Sequence, residues 1–416
     1  MKPTRKLHDL GQSLWLDNIT RQMLDDGSLR RIIDEFSVTG LTSNPTIFNE
    51  AIGHSGAYDD GIRVKAAAGK SGEALFIELA LEDLCRAADL FRAIFDATDG
   101  VDGWVSMEVS PLLAQDTAGS IAAARKIHAQ ADRPNLFVKI PGTPEGIPAI
   151  EELIFAGIPV NVTLLFSREQ YRAAAEAYRR GIERRIAAGL DPRVGSVASL
   201  FVSRWDKAVS GTAPAERRKQ LSTARARNIY RVEHDAGMDP KIAAAMAMSD
   251  SLNDGAVPDV LPADLANHLG IAISQRTYRA YRELLAAPRW RKLAAAGARP
   301  QRLLWASTGT KDPDVSDTIY IEALAAPDTI NTMPEKTLRA CAEHGEFKGL
   351  MSVDGGNCEV ILARFAEAGI DVEALAQQLQ RDGALAFVKS WNELLKHIGD
   401  KIADPNDLRA GGAVHA

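Results

Sequence analysis

The amino-acid sequence predicts an α/β fold, a (β/α)8 TIM barrel with additional helices. Short runs rich in Val, Ile, Leu, Phe and Trp alternate with helix-length segments, which is the pattern of a parallel sheet covered by helices. Eight such runs occur, and that number favours a closed barrel over an open doubly wound sheet. The chain has 416 residues, which is enough for a barrel of about 250 residues with large insertions.

The eight predicted strands are short apolar runs bounded by polar or turn-forming residues. They are residues 14–16, 38–41, 104–109, 136–140, 159–166, 194–201, 302–307 and 329–332.

Apolar periodicity predicts helices between the strands, at residues 73–98, 116–131 and 145–156. Another helix begins after Ser167, because Ser167 and Gln170 have the spacing of a capping box, which satisfies free backbone N–H groups. The long stretch between the sixth and seventh strands has mostly helical character. We therefore predict a single barrel domain at 1–410. It carries a mostly helical extension within about 205–300, a helical C-terminal segment from about 335, and a disordered tail at 411–416.

The composition argues against several classes of function. The chain has 49 basic and 55 acidic residues, a net charge of −6, whereas nucleic-acid and membrane-surface binders carry a basic excess. Cys85, Cys341 and Cys358 form no CxxC or Cys/His cluster, so neither a disulfide framework nor a zinc site is indicated. No run reaches the roughly 18 apolar residues of a membrane span, and no GxGxxG motif supports a nucleotide cofactor. We expect a soluble, cytoplasmic protein without a metal; whether it forms a homo-oligomer stays open.

Polar side chains lie near the C-terminal ends of the first six predicted strands, where the chemistry of such barrels takes place. A single polar residue there is often only a satisfied buried group. A lysine is different, because burying its charge is costly unless it has a partner or a purpose. One lysine, one aspartate and one glutamate converging on one barrel mouth therefore indicate a catalytic site. The polar residues are Asp17, Thr42, Asn44, Glu108, Lys139, Asn161, Thr163 and Ser199.

This set fits amine catalysis. A lysine amine must be neutral to attack a carbonyl, and burial disfavours the charged form of an amine. The Schiff base that results is an electron sink for the cleavage of a C–C bond. Two carboxylates would transfer protons, one at a substrate hydroxyl and one at the water that is lost and regained. The predicted chemistry is that of a metal-free aldolase.

Five segments of the chain resemble the transaldolase family. They are LTSNPTI at residues 41–47, NLFVKIPG at 135–142, NVTLLFS at 161–167, WLDN at 15–18 and SLFVSR at 199–204. The resemblance extends from about residue 7 to residue 345, and the length is similar to that of the longer bacterial type. It implies the transfer of a dihydroxyacetone unit from sedoheptulose 7-phosphate to glyceraldehyde 3-phosphate in the pentose phosphate pathway, without a cofactor.

The resemblance also implies a role for each matching residue. Lys139 would form the Schiff base, and Asp17 would exchange the proton of the hydroxyl next to the broken bond. Glu108 would activate the water, which Thr163 would hold. The substrate would be bound by Asn44, Thr42, Asn161 and Ser199, with its phosphate on Arg204, whose guanidinium fork suits that group.

One segment departs from the family pattern. Many members carry an arginine after the seventh strand as a second phosphate ligand, whereas this chain has ASTGTK at residues 306–311. Lys311 would supply the charge as a point donor, without the bidentate fork of arginine. An exposed loop lysine is the alternative.

Two other functions stay open at this stage. A fructose 6-phosphate aldolase would release dihydroxyacetone to water, but in that group the water-handling glutamate is typically glutamine and a tyrosine replaces the phenylalanine of the Ser-x-Phe motif. Glu108 and Phe201 therefore favour transfer. A catalytically silent sugar-phosphate-binding barrel is the third hypothesis, since a fold does not determine a function.

Overall fold

The computed structural model describes residues 1–210, 261–310, 312 and 314–403. Eight parallel strands close a barrel in the order β1 to β8, with β8 pairing back to β1. The prediction of a (β/α)8 barrel and of its eight strands is confirmed. The strands are β1 (Ser13–Asp17), β2 (Val38–Thr42), β3 (Val105–Glu108), β4 (Leu136–Pro141), β5 (Val160–Leu165), β6 (Ser196–Phe201), β7 (Arg302–Ala306) and β8 (Thr329–Met333).

Helices surround the barrel, and the predicted ones are present. Ser167 and Gln170 form the predicted capping box, because the backbone N–H of Gln170 donates to the Ser167 hydroxyl and that of Ser167 donates to the Gln170 side chain. The helices from the N-terminus to β6 are α1 (Pro3–Asp9), α2 (Arg21–Asp25), α3 (Ser28–Phe36), α4 (Pro45–Gly53), α5 (Asp59–Ala67), α6 (Gly72–Ala97), α7 (Thr117–Ala131), α8 (Gly146–Ala156) and α9 (Arg168–Ala187).

The second half of the chain supplies the additional helices. The helical extension predicted within 205–300 stays a prediction, because residues 211–260 lie outside the described residues, as does the predicted tail at 411–416. The single-domain boundary at 1–410 stays a prediction. These helices are α10 (Ser203–Ser210), α11 (Leu269–Ala286), α12 (Pro288–Ala295), α13 (Ile319–Ala323), α14 (Glu335–His344), α15 (Cys358–Glu367) and α16 (Val372–Ala403).

A buried polar network occupies the N-terminal end of the barrel. Asp102 precedes β3 and accepts hydrogen bonds from the Ser13 hydroxyl and, at 2.8 Å, from Trp15 Nε1. Arg302, at the start of β7, donates from Nη2 to Ser13 Oγ at 2.7 Å and lies 3.9 Å from Asp102 Oδ2. Both charged side chains are buried. This end therefore holds strands together, which leaves the opposite end for the polar residues that the sequence analysis selected.

The long helix α16 crosses back over the first half of the chain. It packs along α4, where Thr46 and Ser390 exchange a hydrogen bond at 2.9 Å, and the Trp391 ring meets Phe76 edge-on with centroids 5.1 Å apart. The middle of α16 reaches the ends of β4 and β5 through Gln380. The C-terminal segment thus contributes to the catalytic end of the barrel. Among the described helices, none is both long and apolar enough to cross a membrane.

Candidate active site

Strand register brings three of the predicted residues side by side. Glu108 on β3 is opposite Lys139 on β4, and Lys139 is opposite Asn161 on β5. Residues directly opposite one another on neighbouring strands project from the same face of the sheet. The three side chains consequently enter the same end of the barrel, as strand-end placement predicted.

Lys139 is buried and has two partners. Its Nζ donates to the backbone carbonyl of Ser43 at 2.9 Å and lies 3.1 Å from Glu108 Oε2. The lysine side chain is 7% exposed and the glutamate side chain 5%, so water screens the pair little. The carbonyl fixes the direction of the amine, and the carboxylate is within reach of a proton or of a water molecule at the amine.

Asp17 is held by a chain of two hydroxyl groups. Thr42 Oγ1 donates to Asp17 Oδ1 at 2.7 Å, and the hydroxyls of Thr42 and Thr332 lie 2.6 Å apart. Burial raises the pKa of the Asp17 carboxyl, while the hydrogen bond from Thr42 and the positive charges of Lys139 and Arg204 act in the opposite direction. Asp17 therefore lies within the field of the same lysine as Glu108.

Burial also raises the pKa of Glu108, and this effect outweighs the attraction of the neighbouring Lys139 charge. The charge of Asp17 raises it further, so the two carboxyl groups disfavour each other's ionisation. Carboxyl groups whose pKa is raised toward neutrality are suited to general acid–base catalysis. The mouth thus contains a nucleophile candidate and two groups that can exchange protons with a bound substrate.

A fixed amide lies beside the lysine. Asn161 is fully buried; its Nδ2 donates to Ser106 Oγ at 3.1 Å, and its Oδ1 accepts from Ser199 Oγ at 2.7 Å. These two bonds orient the amide. Thr163, two residues along β5, is also fully buried, and its hydroxyl makes no hydrogen bond within the described part of the protein. An unpartnered buried hydroxyl is a natural place for an ordered water.

Asn44 and Arg204 border the same mouth in different ways. Asn44 caps α4, since its Oδ1 accepts from the backbone N–H of Ile47 at 3.1 Å. The Arg204 guanidinium lies over the rings of Phe201 and Phe387, 5.0 and 5.8 Å from their centroids. Burial lowers its pKa, against the attraction of the Glu108 and Asp17 charges. Contacts with aromatic faces hold a guanidinium in place without using its N–H groups, so Arg204 can still bind an anion.

The sequence analysis did not select several residues that contribute to this site. Ser106 precedes Glu108 by two residues on β3, so the alternation of side chains along a strand places both on the same face. Thr332 lies near the C-terminal end of β8, where the active sites of such barrels are found. Both residues could therefore have been selected from the sequence. Ser43 contributes to the site through its backbone carbonyl, and the type of its side chain does not allow such a contact to be predicted. The predicted phosphate ligand Lys311 lies outside the described residues. Within those residues, no group of three or more His, Cys, Asp or Glu side chains is placed to hold a metal.

A buried amine with carboxyl groups beside it, at the catalytic end of a parallel barrel, is the arrangement of aldolases that hold their substrate as a Schiff base. Comparison with protein families agrees with this class. The family model described as transaldolase/fructose-6-phosphate aldolase matches residues 14–398, and the chain belongs to that family.

Curated relatives cover almost the whole chain. A transaldolase of Acidothermus cellulolyticus is 42% identical over 401 residues, which make up 94% of this chain and 95% of that protein. A transaldolase of Thermobifida fusca is 40% identical over 412 residues, covering 96% and 98%. A transaldolase of Saccharopolyspora erythraea is 40% identical over 403 residues, covering 95% and 96%. The similarity thus includes the additional helices and the C-terminal segment.

Proposed function

We propose that this protein is a transaldolase, a transferase that moves a dihydroxyacetone unit between sugar phosphates through a Schiff base on Lys139. The observation that carries the proposal is the position of the Lys139 amine, buried 3.1 Å from Glu108 Oε2 in a mouth that also contains Asp17. A pure binder gains little from a desolvated amine, whereas a nucleophile requires one. Transfer from sedoheptulose 7-phosphate to glyceraldehyde 3-phosphate gives erythrose 4-phosphate and fructose 6-phosphate, a step of the non-oxidative pentose phosphate pathway.

The first half of the reaction forms the imine. The neutral Lys139 amine attacks the ketose carbonyl, and the carbinolamine loses its hydroxyl as water. Glu108 supplies the proton for this departure and later takes one from the water that hydrolyses the imine. The buried hydroxyl of Thr163 holds that water. The imine itself accepts the electron pair in the next step, so the reaction needs no cofactor.

The second half breaks and remakes a C–C bond. Asp17 takes the proton of the substrate hydroxyl adjacent to the bond, the bond breaks, and its electron pair forms an enamine on Lys139. The aldose phosphate leaves, and the aldehyde of the acceptor takes its place. The enamine then attacks that aldehyde, and Asp17 returns the proton to the new hydroxyl.

The remaining polar residues bind substrate in this proposal. Asn161, Ser199 and Asn44 contact hydroxyls of the dihydroxyacetone unit. Thr42 borders the same space with its hydroxyl shared between Asp17 and Thr332. Arg204 binds the phosphate, with Lys311, which follows β7 in the sequence, as a second ligand.

Trapping the intermediate tests the proposal. The protein is mixed with fructose 6-phosphate, reduced with borohydride, and mapped by mass spectrometry. We expect a dihydroxyacetone adduct on Lys139, and none in Lys139→Ala, which should still bind sugar phosphate. Lys207→Ala is the control, since this exposed lysine on α10 lies outside the mouth. Absence of an adduct in the folded wild-type protein overturns the amine mechanism and leaves a silent sugar-phosphate binder.

Acceptor dependence separates transfer from lyase activity. We expect fructose 6-phosphate to be consumed rapidly only when erythrose 4-phosphate is present, with sedoheptulose 7-phosphate as the product. Free dihydroxyacetone released at the same rate without an acceptor would instead identify a fructose 6-phosphate aldolase.

We further propose a cytoplasmic location, because Cys85, Cys341 and Cys358 are all free thiols, as is usual in a reducing compartment.

A further inference from the structure

The end of β5 is irregular directly after Thr163. Leu164 has a φ of +58°, the left-handed region that branched side chains seldom adopt. The pairing of β5 with β6 changes register between Val162 and Leu165. Irregularities of this kind beside active sites re-aim side chains and cost free energy unless neighbouring groups hold them. Another part of the molecule must therefore stabilise this irregular segment.

Gln380 on α16 contacts this irregular segment. Its Nε2 donates to the carbonyl of Leu164 and to the carbonyl of Gly142, both at 2.9 Å. The residue is 9% exposed. The backbone N–H of Gly142 in turn donates to the carbonyl of Thr163 at 2.7 Å. One amide group thus joins the segment three residues after Lys139 to the segment one residue after Thr163.

The two carbonyl groups explain why an amide is suited to this position. An amide nitrogen has two hydrogens to donate, and both are used here. An apolar side chain of similar size would leave both carbonyls without this donor, and an unpaired buried carbonyl is costly. The chain would then relieve the cost by moving the ends of β4 and β5. The lysine amine and the threonine hydroxyl are carried by those two strand ends.

We propose that Gln380 is a positioning residue for the transfer reaction, fixing Lys139 and Thr163 relative to each other through Gly142 and Leu164. The proposal rests on the proposed function, since it assigns a purpose to the spacing of those two groups. Gln380 acts without touching the substrate. Its removal should therefore affect the chemical steps and leave sugar-phosphate binding nearly unchanged.

The test compares Gln380→Leu with Gln378→Leu. Gln378 is on the same helix but exposed, so this control loses a glutamine without changing the mouth. We expect Gln380→Leu to lower kcat about 10- to 100-fold, as for a displacement of catalytic groups by about 1 Å. KM should change little, and borohydride trapping on Lys139 should slow by a similar factor. Gln378→Leu should behave like the wild type.

Gln380→Glu provides a second readout that a purely structural role would not produce. A carboxylate cannot donate to the two carbonyls, whereas a protonated carboxyl can donate to one of them. The kcat of Gln380→Glu relative to the wild type should therefore rise as the pH is lowered. Thermal melting at each pH ensures that only folded protein is compared.

The outcomes separate the two proposals. A wild-type protein without transfer or trapping overturns the proposed function, and this inference falls with it. An active wild type whose Gln380→Leu variant keeps its kcat overturns the inference alone. If Gln380→Leu does not fold, Gln380→Glu decides. A pH-independent kcat ratio then overturns positioning, and a ratio that rises at low pH supports it.

Discussion

At the scale of single residues, burial governs the chemistry of Glu108 and Asp17 more than the neighbouring positive charges do. Each carboxyl is attracted by the positive charge of Lys139, yet the pKa of each is raised because loss of hydration outweighs that attraction. A carboxyl group with a raised pKa exchanges protons more effectively at the working pH. The burial that encloses the lysine side chain thus also makes the two carboxyl groups suited to exchanging protons.

This balance predicts the acid limb of the pH–rate profile. Both groups are needed as carboxylates at some step, and their raised pKa values mean that this form is lost at a higher pH than for an ordinary carboxyl, near 4. We therefore expect kcat/KM to decrease as the pH is lowered, with the midpoint of this decrease at a pH clearly above 4. Glu108→Gln should lower kcat about 100- to 10,000-fold, the usual contribution of a general acid or base. A profile with an ordinary carboxyl midpoint would contradict the prediction.

Thr163 allows the role of a single hydroxyl to be measured. Thr163→Val keeps the shape but removes a hydroxyl that has no hydrogen-bond partner in the described structure, so stability should not fall. We expect kcat to fall about 10-fold, equivalent to one hydrogen bond of about 1.4 kcal/mol to the reacting water. Thr163→Ser restores the hydroxyl and should recover most of the activity. Full activity in Thr163→Val would mean that the water is held elsewhere.

At the scale of elements, the local sequence pattern was enough to predict which polar residues of neighbouring strands lie together. Glu108, Lys139 and Asn161 lie at the same level of three neighbouring strands, so alternation of side chains and strand order were sufficient to bring them together. Asn44 precedes a proline at the first position of α4, and Asn–Pro is also a helix-start signal; its capping bond was therefore within reach of the sequence as well.

The contribution of α16 could not be predicted in this way. Its apolar periodicity shows only that one face is buried, and does not indicate which part of the barrel that face covers. Gln380 and Phe387 are separated by more than 180 residues in the sequence from the residues that they contact, Gly142, Leu164 and Arg204. A lone glutamine in a helix has no signature of its own, because the two carbonyls it serves become its neighbours only after the barrel has closed.

Phe387 tests the contribution of α16 to phosphate binding. Its ring covers one side of the Arg204 guanidinium, and a cation–π contact contributes about 0.5 to 2 kcal/mol. We expect Phe387→Leu to raise KM for sugar phosphates about 2- to 30-fold with little change in kcat. Slow turnover of unphosphorylated fructose should be unaffected. Phe365→Leu, a buried ring on α15, is the control for general loosening, and an equal rise in KM there would contradict the prediction.

At the scale of the whole molecule, the two ends of the barrel carry different tasks. Residues at the C-terminal ends of the strands hold the amine, the carboxyl groups and the unpartnered hydroxyl. The N-terminal end holds the Asp102 and Arg302 network, in which each polar group has partners within the protein. Strands of four to six residues separate the ends by about 13 to 20 Å. A change at the N-terminal end should therefore alter stability without altering the chemistry.

Asp102→Asn tests this separation. The substitution keeps the shape of the side chain but leaves the buried Arg302 without its carboxylate, and breaking a buried ion pair costs about 3 to 5 kcal/mol. We expect urea unfolding at a lower concentration, with kcat and KM of the folded protein unchanged. Adding Arg302→Met removes the unpaired charge, so the double variant should regain part of the lost stability. Loss of activity without loss of stability would instead mean that this end of the barrel controls the catalytic mouth through the strands.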